Sequence, residues 1–458
     1  MYFVETLALA GLGNRSYLAG GRSAAVVVDP PRDFDQVIAL AARRGVRITH
    51  VAETHVHNDY VTGGLELARV VGAQYLVPAD AEVFFERTAV ADGDSVIIDA
   101  ASGLVLRAMA TPGHTPHHTS YVLEEDGTAV AAFTGGSLLI GAVGRPDLVE
   151  PTLTARLARA QHASAHRLAD ELDDDVRVMP THGFGSFCAA TQASGESTTI
   201  GEQKKTNSAL LQDTETFVAE LLAGLDDIPA YYTHMGPANA AGPAPVDLTP
   251  PRRADAAEIR RRLQDGEWVV DLRNRIAYAD GHVAGTYNFD LDGQLATHLP
   301  WLLPWGRPVT LLAETPEQIA RAQRELVRVG IDRPAAAATG SPLDWAGSEG
   351  LRAFDRSDFQ GLAAARADGS RPFVVDVRRN SERAAARIED TVHIPLHELR
   401  ARISEIPADI TVWVHCAGGV RAAIAASLLD AAGHRVVAVD DGFDQAESAG
   451  LSVLRGAL

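Results

Sequence analysis

Short apolar runs that end abruptly in polar turns set the rhythm of this chain. Ile48-Thr-His-Val-Ala52, Leu104 to Ala110 and Val176-Arg-Val-Met179 are β-branched or alternating stretches of strand length. Each hands over directly to a turn that carries histidine. The second half repeats a different unit. Trp268-Val-Val-Asp-Leu-Arg273 is echoed by Phe373-Val-Val-Asp-Val-Arg378, roughly 105 residues later. In the first copy, the strand Pro308-Val-Thr-Leu-Leu312 precedes a helical stretch from Pro316 to Val329. In the second, Ile410-Thr-Val-Trp-Val414 precedes Ala422-Ala-Ile-Ala-Ala-Ser-Leu-Leu429, a helix expected to stop near Gly433. Strands alternating with helices predict an α/β protein with parallel sheets in this half.

Breaks in the pattern divide the chain. Gly236 to Pro245 and Thr249-Pro-Pro251 are rich in Pro, Gly and Ala and read as a linker. A shorter break from Thr339 to Gly350 separates the repeats. The expected domains are therefore 1–245, 252–345 and 354–458, and 458 residues are too many for one core. A hydrophobic content of 46% suits well-filled globular cores, and a net charge of −19 argues against nucleic acid or anionic membranes as partners. Any anionic substrate then needs local arginines. Only Cys188 and Cys416 are present, far apart, which predicts no disulfide framework and a cytoplasmic, reducing setting. The N-terminus lacks a basic segment before its apolar residues, and no apolar run has membrane-spanning length. Assembly with further copies of the chain is left open.

The strand ending at Val414 leads into His415-Cys416-Ala417-Gly418-Gly419-Val420-Arg421. Cys416 stands on a strand-to-helix turn facing a helix N-terminus, whose free N–H groups and dipole favour a thiolate. Ala417, Gly418, Gly419 and Val420 let backbone N–H groups converge on an oxyanion, and Arg421 adds a positive fork. This loop resembles the active-site loop of the rhodanese family. Four residues separate Cys416 from Arg421, where cysteine phosphatases place five. The resemblance extends to Asp-x-Arg at 376–378, to His393-Ile-Pro395 and, in the first copy, to Gly281-His-Val-Ala-Gly-Thr-Tyr-Asn288. It implies that Cys416 carries sulfane sulfur as a persulfide and that Arg421 orients an anionic donor or acceptor, with Arg378 or Arg383 offsetting charge. In the first copy, Ala313 stands at the Cys416 position, Gln318 at that of Arg421, and Glu314 brings a repelling charge. The first repeat is therefore expected to be inactive.

The N-terminal part carries Glu53-Thr-His-Val-His-Asn-Asp59, Thr111-Pro-Gly-His-Thr-Pro-His-His118 and Pro180-Thr-His-Gly-Phe-Gly-Ser-Phe-Cys188. His55, His57 and Asp59 at alternate positions, with His114 and His182 at two further strand ends, can converge on a metal ion. The arrangement resembles the metallo-β-lactamase fold, an αββα sandwich with its metal site along one edge. Tyr60 stands where many members have another His, so the likeness is to persulfide dioxygenases, which hold one iron by two His and one Asp. Their iron ligands map onto His55 and His114. Such domains also occur fused to two rhodanese repeats. One departure stands out: Phe133-Thr-Gly-Gly136 replaces the family's Phe-Thr-Gly-Asp, so Gly136 occupies the carboxylate position. Three outcomes stay open: another group such as Asp59 or water fills the gap, the metal binds weakly, or the site is dead. Cys188 reads either as a small buried hydrophobe or as an auxiliary thiol that relays sulfur. Lys204 and Lys205 read as carboxylate contacts or a solvated helix start, His117 and His118 as supports for His114, and Tyr231 to Met235 as a pocket cover.

The resemblances imply Fe(II), with Zn as the alternative, and oxidation of a small thiol persulfide to sulfite. Sulfur transfer through Cys416 would then form or use thiosulfate. Two other readings compete: a thioesterase- or lactonase-type hydrolase fused to rhodanese, and a persulfide carrier or sensor with a degenerate metal domain.

Overall fold

A computed structural model describes residues 2–189, 195–369 and 371–456. It divides into two compact units, Met1–Val246 with Val327–Gly330, and Asp247–Leu326 with Ile331–Leu458.

The first unit is built on two six-stranded sheets. One runs in chain order from Phe3–Leu9 through Ala24–Val28 and Arg47–Ala52 to Thr88–Val90. The other places Arg177–Pro180, Thr128–Gly135, Thr119–Glu125 and Leu104–Ala110 side by side. Their facing sides bury Tyr17, Val26, Leu106, Tyr121 and Phe133 between them. Helices cover the outer faces. Asp35–Arg44 lays Val37 and Ala41 against one sheet. Its acidic first turn and basic last turn match the helix dipole, and Gly45 at φ 69° ends it in the left-handed conformation. Thr154–Glu171 buries Leu157, Ala158, Ala165 and Leu168 on the other sheet, a stripe at helical spacing. The unit is an αββα sandwich.

The expected linker is partly wrong. Tyr232–Ala241 is a helix despite Pro237, so the segment beginning at Gly236 is not open chain until after Ala241. The reason is tertiary. The Asn239 amide, 3% exposed, donates to the carbonyls of His57 and Tyr60 at 2.8 Å each and accepts from Thr62 N–H at 2.9 Å. These contacts tie the helix beneath the His55–Asp59 turn, outweighing the lost backbone bond at Pro237.

In the second unit, each repeat has a parallel sheet of the same order. Ala336–Thr339, Val309–Ala313, Trp268–Asp271 and Tyr287–Asn288 form the first. Arg435–Val439, Thr411–His415, Phe373–Asp376 and Val392–His393 form the second, with Asp355–Ser357 added at one edge. The first repeat keeps only a single bridge, Arg253 to Ala337, at that edge. The repeats share one core, in which Leu295 and Leu299 of the first join Val414, Ile424 and Leu428 of the second. Among the described residues no helix is long and apolar enough to cross a membrane.

Candidate functional site

Each strand end expected to carry a metal ligand does so along one edge of the sandwich. His55, His57 and Asp59 follow Arg47–Ala52, His114 follows Leu104–Ala110, and His182 follows Arg177–Pro180. All five side chains are buried. The ring centres of His55, His114 and His182 lie 4.8–5.3 Å apart.

Hydrogen bonds fix the tautomers. A carbonyl can only accept, so His114 Nδ1 donates to the Arg145 carbonyl at 2.8 Å, and its Nε2 is left buried without a partner. The single hydroxyl hydrogen of Thr54 goes to Asp29 Oδ2 at 2.8 Å, so Thr54 Oγ1 accepts from His55 Nδ1, also at 2.8 Å. His182 Nδ1 donates to Asn14 Oδ1 at 3.1 Å and faces Asp59 Oδ2 at 3.3 Å. The Nε2 lone pairs of His55 and His182 therefore meet at 3.3 Å with no hydrogen between them. Two such lone pairs repel, and a cation coordinated by both relieves the repulsion. Burial first, then crowding by neighbouring imidazoles, pushes His55 and His114 well below the ordinary histidine pKa, which keeps them neutral as ligands must be.

His57 is held differently. Its Nε2 donates to Glu53 Oε2 at 3.1 Å and lies 3.2 Å from Asp29 Oδ1, while its Nδ1 has no partner. Burial opposes its charged form, but the two carboxylates outweigh this and raise its pKa to about 10. Asp29 and Glu53 were not singled out in the sequence. Asp29 ends the apolar strand Ala24–Val28 at φ 49°, the same strand-end position as the metal-type residues, and this was the available signal. Asp29 also accepts from Thr54 N–H at 2.7 Å and from the Thr181 hydroxyl, bracing two of the ligand turns.

Asp59 has one oxygen engaged and one, Oδ1, buried without a partner. Its Oδ2 accepts from Asn14 at 2.7 Å and orients His182. Burial raises its pKa less than His182 and Asn14 lower it, so it stays well below the usual carboxylate range. Gly136 leaves no space for a side chain: a Cβ there would meet His114 Cδ2 at 2.2 Å. Instead the Gly136 N–H donates to His118 Nε2 at 3.0 Å, and His118 Nδ1 bonds Thr111. His118 thus pins the strand end, and His117 is exposed in a cleft of about 470 Å³ lined also by Asn58, Glu82, Val149 and Tyr232. Tyr60 is buried against His57, with ring centres 4.4 Å apart. Lys204, in the last turn of the helix Ile200–Thr206, pairs with Asp174 at 2.6 Å. Cys188 is fully buried, so it does not line the mouth.

The donor set fits a divalent transition metal: bare histidine nitrogens converge, and His114 Nε2 is orphaned among them. It does not fit a two-His, one-carboxylate triad that uses position 136.

In the second unit Cys416 follows the strand Thr411–His415 and precedes the helix Val420–Ala431. Gly419 has φ 88°, and a Cβ there would lie 2.2 Å from Asp440 Oδ1, so glycine is required. Phe443 N–H ties the loop at Ala417 O, 2.9 Å. Cys416 is 2% exposed. Each of the expected arginines has a carboxylate partner. Arg421 makes a two-pronged pair with Glu382 at 2.6 and 2.7 Å. Arg378 pairs with Asp376 at 2.7 Å and stacks on Phe443, and Arg383 bonds Asp376 and Thr391. These pairs tie the arginines around the helix start, whose first N–H groups have no intrahelical acceptor. The first repeat supplies a wall: Gly293 packs near Val420, Arg275 holds Asp440 at 2.8 Å, and buried His298 feels Arg421 and Arg379.

Residues 10–182 match the metallo-beta-lactamase superfamily, and residues 360–449 match the rhodanese-like domain family. The chain belongs to the metallo-β-lactamase superfamily and carries a C-terminal rhodanese-like domain. It is 30% identical over 215 residues to the mitochondrial persulfide dioxygenase ETHE1 of Homo sapiens, spanning 44% of this chain and 74% of that protein. It is also 30% identical over 211 residues to a hydroxyacylglutathione hydrolase of Pseudomonas putida, spanning 42% and 79%. A crystal structure of a metallo-β-lactamase from Staphylococcus aureus subsp. aureus COL matches 74% of this chain and 99% of its own, with 26% identity and a TM-score of 0.66. That span reaches beyond the first unit, which ends its main segment at Val246.

Proposed function

We propose that this protein is a sulfane-sulfur enzyme: the histidine cluster oxidises a small thiol persulfide to sulfite, and Cys416 transfers a second sulfane sulfur. The observation that carries this reading is the pairing, in one chain, of a buried cluster of bare histidine nitrogens in a persulfide-dioxygenase-like domain with a thiol at a rhodanese-type helix start. The overall first reaction is RSSH + O₂ + H₂O → RSH + sulfite + two protons. A bound ion, iron on this reading and zinc on the hydrolase reading below, would supply Lewis-acid or O₂ chemistry. His114 and His182 would hold it, with His55, whose Nε2 lies 3.3 Å from that of His182, as a further candidate. Asn14 and Asp59 orient His182, Arg145 orients His114, and Asp29 through Thr54 orients His55. The cleft beside Tyr232 and Asn58 admits the thiol while the buried cluster excludes bulk water.

At Cys416, sulfite attacks the outer sulfur of Cys416–S–S⁻. The S–S bond to Cys416 breaks, its electron pair leaves with the Cys416 thiolate, and thiosulfate departs. The reverse step loads Cys416 from thiosulfate. Ala417, Gly418, Gly419 and Val420 shape the oxyanion cradle, and Arg421, held by Glu382, fixes the helix start that aims those N–H groups. Free Cys188 and Cys416 suit a reducing, cytoplasmic setting. The functional modules on this reading are 1–245, 252–345 and 354–458.

The test is O₂ uptake with a thiol persulfide by full-length protein purified anaerobically, with metal, sulfite and thiosulfate measured on the same sample. Near-stoichiometric iron with O₂ uptake supports the reading, and Cys416→Ser should keep the uptake and lose thiosulfate. The similarity to a hydroxyacylglutathione hydrolase favours a second reading, thioester hydrolysis with zinc. Zinc, thioester turnover and no O₂ uptake would establish it instead. Sulfur loading of Cys416 with neither activity would leave a persulfide carrier.

A further inference from the structure

We propose that Cys188 has taken over as the anionic ligand of this centre, replacing the carboxylate lost at position 136, so that the ion is held by His114, His182 and the Cys188 thiolate. This rests on reading the histidine cluster as a metal centre.

The donor atoms of His114, His182 and Cys188 all lie within 4.8 Å of one another, and all three residues are buried. His114 Nε2, with its Nδ1 committed to the Arg145 carbonyl, is the unpartnered buried atom that points to a ligand. Cys188 is brought there by backbone, not by chance side-chain packing. Arg145 N–H donates to the Cys188 carbonyl at 2.8 Å, and Gly144 bridges Ala189. The same residue, Arg145, thus orients His114 through its carbonyl and anchors the cysteine through its N–H. Its guanidinium, paired with Asp147 at 2.7 and 2.8 Å, holds this segment rigid. Cys188 N–H in turn donates to Ser186 Oγ at 3.1 Å.

The two changes are linked by space. His114 sits between Gly136 and Gly144, where a Cβ on either would lie within 2.6 Å of its ring. The ring occupies the room a side chain at 136 needs, so a carboxylate cannot return there without displacing a ligand. A thiolate from the opposite loop restores the negative charge that an all-histidine set lacks. It also makes the set softer, two nitrogens and one sulfur, which favours Zn(II), Co(II) or Fe(II) over Mn(II) or Mg(II). Binding releases the thiol proton to solvent, with no change of oxidation state.

Co(II) loading of full-length Cys416→Ser protein, in which Cys188 is the sole thiol, tests this. The expected result is stoichiometric cobalt with an intense near-ultraviolet sulfur-to-cobalt charge-transfer band. Adding Cys188→Ser should abolish the band and weaken metal binding by on the order of 100-fold. Cys188→Asp, a carboxylate on the same loop, should lose the band but bind more tightly than the serine variant. Stoichiometric cobalt without the band overturns the cysteine ligand and leaves the metal centre standing. Failure to bind any metal overturns both. The band in the Cys416→Ser protein needs no substitution at 188, so a misfolded Cys188 variant does not blunt the test.

Discussion

The two repeats of the second unit are built on the same frame and differ where chemistry would occur. Both begin with a buried strand ending in Asp-x-Arg, and in both the arginine closes back on the aspartate: Arg273 to Asp271 at 2.6 Å, Arg378 to Asp376 at 2.7 Å. Their central strands give way to helices at Pro316 and Val420. At that junction the copies part. In the second, Cys416 stands before a glycine turn at the start of Val420–Ala431, and Glu382 fixes Arg421. In the first, Ala313 carries no nucleophile. The Gln318 side chain turns back and accepts from Glu314 N–H at 2.9 Å and Thr315 N–H at 3.1 Å, filling the cradle from within. The neighbouring cleft, about 270 Å³, is lined by Asp290, Asp292, Glu314 and Glu317 together with Arg273 and Arg321. The comparison separates two jobs of one fold: the frame needs Asp-x-Arg, and the reaction needs open N–H groups and a thiol. The first copy keeps the frame and has become part of the second's wall.

Breaking the chemical half of the comparison gives the largest effect. Cys416→Ser should lower sulfur transfer from thiosulfate at least about 1,000-fold without shifting the melting temperature, as read by a thiocyanate or persulfide assay. The frame half predicts similar losses in both copies. Asp271→Asn and Asp376→Asn each remove one partner of a buried pair and should destabilise by about 3–5 kcal/mol in denaturant melts. A large effect in the second copy alone would show that the first no longer uses the motif. Glu382→Gln should destabilise by about 1.5–3 kcal/mol and reduce transfer, since it frees Arg421 from the helix start. Burial opposes the Glu382 charge, but Arg421 outweighs it and lowers its pKa from 4.5 to about 2. A depressed carboxylate stabilises the fold fully above pH 4.5, and that share is lost as pH falls towards 2. Acid melts of Glu382→Gln should therefore converge on those of the parent protein. The smallest effects sharpen the contrast. Glu314→Ala, at an exposed site, should change stability by less than about 0.5 kcal/mol. Ala313→Cys in Cys416→Ser protein should gain no transfer, because Gln318 already occupies the N–H groups a substrate would need. Measurable transfer by that variant would mean the first cradle is open after all.

The same division between frame and chemistry appears in the metal domain. The strand-end positions of His55, His57, Asp59, His114 and His182 were legible because each follows an apolar run, and a run that stops must turn. The partners that fix their tautomers were not. Asn14, Asp29, Thr54 and Arg145 are distant in sequence, and nothing local marks a residue whose task is to hold another's proton. The linker misreading has the same origin: local composition at 236–241 opposes a helix, and Asn239, bonded across the fold, decides for one.

By itself the sequence determined the αββα sandwich, the two rhodanese-type repeats, the loop at Cys416 and the missing carboxylate at Gly136. The repeats and the polar turns after apolar runs follow from periodicity and spacing, which are properties of neighbours along the chain. The sandwich, the rhodanese type and the missing carboxylate follow from resemblance to known families. Tertiary structure alone decided that Arg421 belongs to Glu382, that Asp59 serves His182, that Gln318 fills the first cradle, and that Cys188 lies against His114 and His182. Those outcomes depend on which polar atoms meet once strands are paired, and buried donors and acceptors find their partners through space, not along the chain.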